Sequence, residues 1–139
     1  MNKEHIKNLR TLANYLKGEI KVEFDMEWFS STGNTYETKC GTSGCAIGHG
    51  PHAGIKKKKW ETWLGYGERV FGISSDFHRS LFHFLFGNYW SDFDNTPKGA
   101  AKRIDYFLEK GFPKELEKLE VDKDEFYDIG QEIVHRKEE

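Results

Sequence analysis

Apolar positions along this chain recur with two different periods, and the change of period divides it into elements. From Lys3 to Lys17, Ile6, Leu9, Ala13 and Leu16 fall at helical spacing, with Gly18 as a stop. Ile20, Val22, Phe24 and Met26 then alternate with Lys21, Glu23 and Asp25, the two-residue period of a half-buried strand. Ser30-Ser31-Thr32-Gly33-Asn34 supplies turn chemistry, and Thr35 to Cys40 alternates again. A small β-hairpin is therefore predicted over 20–40, with a helical turn around Glu27-Trp28-Phe29 as its competitor.

The helical period returns after Pro51 and Gly54. Trp63, Gly67, Val70 and Phe71 predict a helix capped by Thr62 and ended at Gly72. Ser74 or Ser75 is placed to cap a second, whose stripe is Phe77, Leu81, Phe84 and Leu85 before Gly87. Phe82 and Phe86 make that element apolar nearly all round, which predicts a central position. In the aromatic and acidic loop that follows, Trp90 is expected to cap the core and Asp94 to form a turn. Thr96-Pro97 then opens a helix whose Ala100, Ile104, Phe107 and Leu108 face inward until Gly111. Pro113 starts a short turn through Leu119, and Asp122 with Glu125 has the form of a capping box. Phe126, Ile129, Ile133 and Val134 complete a last helix, with His135, Arg136 and Lys137 at its negative end. The pattern predicts a mainly α, compact single domain over 1–139, with about five helices and a small N-terminal β-hairpin.

Composition sharpens this picture. Of 139 residues 37% are hydrophobic but 15% are aromatic, so the core is expected to rest on a few large rings. The net charge of −2 speaks against nucleic acid as a partner, since phosphate recognition shows as a cationic excess. That charge is unevenly spread. Lys39 to Arg79 carries seven basic residues against three acidic, whereas Pro113 to Glu139 carries five against ten. The first stretch is a candidate anion attractor. No apolar run approaches membrane-spanning length, and the polar start Met1-Asn2-Lys3-Glu4-His5 lacks the apolar stretch of a signal peptide. A cytoplasmic protein without a structural disulfide or membrane partner is expected. Nothing in the pattern fixes an oligomeric state.

Two segments carry candidate chemistry. Cys40-Gly41-Thr42-Ser43-Gly44-Cys45-Ala46-Ile47-Gly48-His49 holds both cysteines. Cys40, Cys45, His49 and His52 form the donor set of a tetrahedral zinc site, although Cys-x4-Cys is looser than the usual knuckle. Cys45 in a first helical turn, with His49 one turn on, is the arrangement of an activated thiol. Buried free cysteine among small residues is the third reading and the one favoured, so no catalytic residue, metal or cofactor is expected. The second segment is Lys56, Lys57, Lys58 and Lys59 with Trp60 and Trp63, a cationic run beside aromatic rings whose candidate ligands are phosphate, an acidic protein face or single-stranded nucleic acid, with a solvated loop tip as the competing and commoner reading of such a run. His78 and His83, with Arg79, do not share one helical face and are read as partly exposed side chains.

Phe24-Asp25-Met26, the Cys40–His49 segment, Arg69-Val70-Phe71-Gly72 and Asp94-Asn95-Thr96-Pro97-Lys98-Gly99-Ala100-Ala101-Lys102-Arg103-Ile104 occur here in an order that resembles a widespread group of small uncharacterised proteins of bacteria and their phages. The resemblance covers about Phe24 to Gly111 and implies no activity. It places the lysine run outside the shared pattern, and the position of His49 can hold tryptophan. The expected function is a non-enzymatic binding module, a phage or mobile-element accessory protein that engages a host protein or an anionic, nucleotide-like ligand. The alternative is a thiol- or zinc-dependent enzyme centred on Cys45.

Overall fold

The computed structural model describes residues 1–18, 46–119 and 124–135. Five α-helices occur among them: α1 (Lys3–Lys17), α2 (Trp63–Phe71), α3 (Arg79–Phe86), α4 (Pro97–Lys110) and α5 (Asp124–His135). Short 3-10 turns lie at Pro51–Ala53, Asn88–Asp92 and Lys114–Leu116. The protein is mainly α, as the periodicity predicts, and the described residues contain no strand. The hairpin expected over 20–40 and the proposed cap at Asp122 lie outside the described residues.

Helix ends follow local chemistry closely. Thr62 Oγ1 accepts from the Gly65 amide at 3.0 Å to start α2, and Thr96 Oγ1 accepts from the Gly99 amide at 3.0 Å to start α4. Gly72 and Gly111 end these helices at φ 72° and 82°. A side chain on Gly72 would also collide with the His5 ring. In α1, Asn2 Oδ1 accepts from the His5 amide while His5 Nδ1 accepts from the Asn2 amide, a reciprocal cap.

Two details differ from the expected pattern. The serines do not open α3: Ser74 Oγ accepts from the Asp76 and Phe77 amides, each at 3.2 Å, and so closes a turn instead. The helix begins at Arg79, and Phe77, expected in the buried stripe, is 86% exposed. On α1, Leu12 rather than Ile6 joins Leu9, Ala13 and Leu16 in the core. The first turn of α1 faces the polar end of α2, where His5 and Asn8 are bonded, and Ile6 is left at the surface.

Among the described residues the core is a single cluster with members from all five helices. The most extensive helix pair is α1 with α4, where Ala13, Ala100 and Ala101 are all buried. α3 lies between two groups of rings. On one side Phe86 meets Phe82 at 5.8 Å and Phe71 of α2 at 5.6 Å. On the other, Phe84 makes edge contacts with Trp90, Tyr106 and Phe112. Four of its eight residues, Phe82, Phe84, Leu85 and Phe86, are buried, as its apolarity predicts, but α1 rather than α3 makes the most extensive helix packing. No helix among the described residues is long and apolar enough to cross a membrane.

Candidate functional site

The last carbonyls of α2 have no partners within their own helix. Two are met from α1: Asn8 Nδ2 donates to the Val70 carbonyl at 2.8 Å, and His5 Nε2 donates to the Arg69 carbonyl at 3.2 Å. The His5 tautomer follows, because its Nδ1 is already the acceptor in the α1 cap. These bonds hold α1 against the end of α2 through polar groups. Beside them runs a groove of about 460 Å³. Glu4, Lys7, Asn8 and Thr11 line it from one face of α1, Gly54, Ile55 and Lys56 from the loop before α2, and Arg69 and Val70 from α2.

Arg69 is the organising cation. Its Nε and Nη2 donate to the two Glu61 carboxylate oxygens at 2.6 and 2.8 Å, and Nη2 also reaches the Lys56 carbonyl at 3.0 Å. The Lys58 amide donates to Glu61 as well, at 3.0 Å. One guanidinium thus ties both ends of the 56–61 loop. The Arg69 hydrogen bonds hold the Glu61 carboxyl below its usual range, against the opposing effect of burial. Glu61 in turn raises Arg69.

The six residues expected to bind a ligand are distributed differently by this loop. Lys56 enters the groove wall. Lys57 lies with its ammonium 5.0 Å from the centre of the Trp63 ring, and burial lowers its pKa. Lys58 and Lys59 are exposed, and Trp60 is 81% exposed. Trp63 has no exposed surface and belongs to the core, packed edge-on against Tyr66 at 5.7 Å, so of these two tryptophans Trp60 is the one available for stacking. Glu4, Lys7, Asn8, Thr11 and Arg69 were not among the expected residues. The spacing 4, 7, 8, 11 does place four polar residues on one face of α1, which is the signal for that wall. The link between Glu61 and Arg69 has no such signal, because it crosses a helix start.

Of the cysteine–histidine set, Cys40 and Cys45 lie outside the described residues. His49 is fully buried, 5.9 Å from the Tyr15 ring and 5.7 Å from the His52 ring, which is half-buried. No group of three or more His, Cys, Asp or Glu side chains suited to a metal ion occurs among the described residues. His78 is exposed and accepts from the Ser74 amide, while His83 is half-buried with Nδ1 2.8 Å from the Tyr127 hydroxyl.

A second polar cluster sits deeper, and sequence reasoning missed its key member. Arg103 of α4 is 1% exposed, its guanidinium carbon 4.1 Å from the centre of the Trp90 ring and its Nη1 4.0 Å from Asp94 Oδ2. None of its side-chain nitrogens has a hydrogen-bond partner among the described residues. Burial pushes its pKa down to about 9, with Asp94 opposing. Asp94 accepts from Thr96 Oγ1 at 2.6 Å, Gln131 Nε2 at 3.3 Å and His135 Nε2 at 3.4 Å. Burial raises the Asp94 pKa, but these donors and Arg103 together hold it below the usual carboxylate value. A side chain on Gly99 would strike the Asp94 carboxylate. The residues Asp94, Thr96, Pro97, Gly99 and Arg103 therefore form one structural unit: a helix start built over a buried guanidinium and the partly exposed carboxylate that faces it. Trp90, as expected, is fully buried, and its Nε1 donates to the carbonyls of His83 and Phe84.

Comparison of the chain with protein-family models, with curated proteins and with solved structures finds no match.

Proposed function

We propose that this chain is a non-enzymatic binding module that takes a small anionic ligand in the groove between α1 and α2. The observation that carries this reading is the meeting of Lys7, Lys56 and Arg69 in one concave space of about 460 Å³. Cleft sites for small ligands are typically about 300–1,000 Å³. Arg69 is already oriented by Glu61 and the Lys56 carbonyl, so a ligand does not have to order it. The role of a phage or mobile-element accessory protein rests on the resemblance of the motifs around the cysteines and Asp94. Engagement of a host protein is the second reading, and Trp60, 81% exposed between Lys59 and Glu61, supports it as an anchor for an acidic surface.

Calorimetric titration with inorganic phosphate and pyrophosphate tests the groove. The double change Lys7→Gln and Lys56→Gln is expected to weaken binding about tenfold or more and to flatten its salt dependence. Lys58→Gln with Lys59→Gln should leave it nearly unchanged. Binding that survives the first pair and falls with the second moves the site to the Trp60 tip.

A further inference from the structure

We infer that the groove selects a sugar phosphate, a phosphomonoester carried on a hydroxylated body; this rests on the anion-groove reading above. The cations account for only part of the lining. Glu4, Asn8 and Thr11, whose side chains carry acceptor oxygens, line the same space. The Asn8 amide has a fixed orientation because Nδ2 donates to the Val70 carbonyl, which leaves Oδ1 as an acceptor. A bare phosphate offers these oxygens only its own acidic hydroxyls and is repelled by the Glu4 carboxylate.

A ligand with hydroxyl groups answers both parts of the wall. Its phosphate is drawn to Lys7, Lys56 and Arg69, where the Arg69 bonds to Glu61 and Lys56 use Nε and Nη2 and leave Nη1 outside them. Its hydroxyls donate to the Glu4 carboxylate and to Asn8 Oδ1, as acidic side chains accept from ribose hydroxyls in nucleotide sites. The volume is several times that of a phosphate ion, and the acid in the wall disfavours a continuous polyanion such as a nucleic-acid backbone.

Calorimetry on the full chain with ribose 5-phosphate, methyl phosphate and neutral ribose tests this. Ribose 5-phosphate is expected to bind about tenfold more tightly than methyl phosphate, the effect of one or two hydrogen bonds to a charged acceptor. Glu4→Gln, at an exposed position, keeps an acceptor oxygen but loses the charge, so it should shrink that advantage and make methyl phosphate bind more tightly. Equal affinity of the two phosphates in the wild type, or an advantage unchanged by Glu4→Gln, overturns the inference while the anion groove stands. Neutral ribose binding as well as its phosphate also overturns it. Failure of both phosphates to bind removes the groove reading with it.

Discussion

Asp94 and Arg103 are the two residues whose replacement should separate most clearly. Arg103 is buried with its side-chain nitrogens unbonded, so its charge rests on Asp94 and the face of Trp90. Removing Asp94 strands the buried guanidinium, at a cost of about 3–5 kcal/mol, whereas the partly exposed Asp94 keeps its Thr96, Gln131 and His135 donors when an apolar side chain replaces the cation. Asp94→Ala is therefore expected to cost about 3 kcal/mol, and Arg103→Met less than about 1 kcal/mol in either direction. Denaturant midpoints check both, and a large loss for Arg103→Met with little for Asp94→Ala would reverse the assignment. Thr96 serves the same cluster from outside, giving a hydrogen bond to Asp94 and accepting one from Gly99. Thr96→Ala should cost about 1–2 kcal/mol, as the loss of a helix cap does.

The elements show which signals are local and which are not. Thr62 and Gly72 around α2, and Thr96 and Gly111 around α4, were legible because a cap depends on residues within one turn of it. Phe77 was misread for a similar reason: the competing use of Ser74, as a turn former, draws on the same few atoms. Arg103 was illegible because a basic residue on α4 reads as solvated, and only the approach of Trp90 and Asp94 from another segment buries it. The groove divides in the same way. Its α1 wall follows from helical spacing, while Arg69 enters it through contacts made across a loop. Gly72 joins the two levels, since it has positive φ and also lies against His5. Gly72→Ala should cost about 2 kcal/mol or more, combining backbone strain with displacement of His5 from the end of α2. Gly54→Ala, at φ 93° but with open space around it, should cost only the strain, so the two melting temperatures are a direct comparison.

At the scale of the whole molecule, the groove, the 56–61 loop and the exposed Trp60 belong to one construction whose strength depends on pH. Because the folded chain holds Glu61 below its ordinary pKa, the unfolded chain takes up that proton first as the solution is acidified. The stabilisation is complete above the ordinary value of 4.5 and fades as the pH drops through the lowered one. Urea midpoints measured from neutral pH downward should fall less steeply for Glu61→Gln than for the wild type.

The tie from Arg69 to both ends of that loop also has a kinetic consequence. Four consecutive lysines are four cleavage points for trypsin, yet a protease must draw several residues into an extended strand before it cuts. While Arg69 grips the Lys56 carbonyl and the Glu61 carboxylate, that extension requires the loop to open first, and cleavage follows the fraction of time it is open. Limited digestion at neutral pH should leave the bonds after Lys57, Lys58 and Lys59 largely intact in the wild type, and Glu61→Gln should make them the earliest cuts in the described chain.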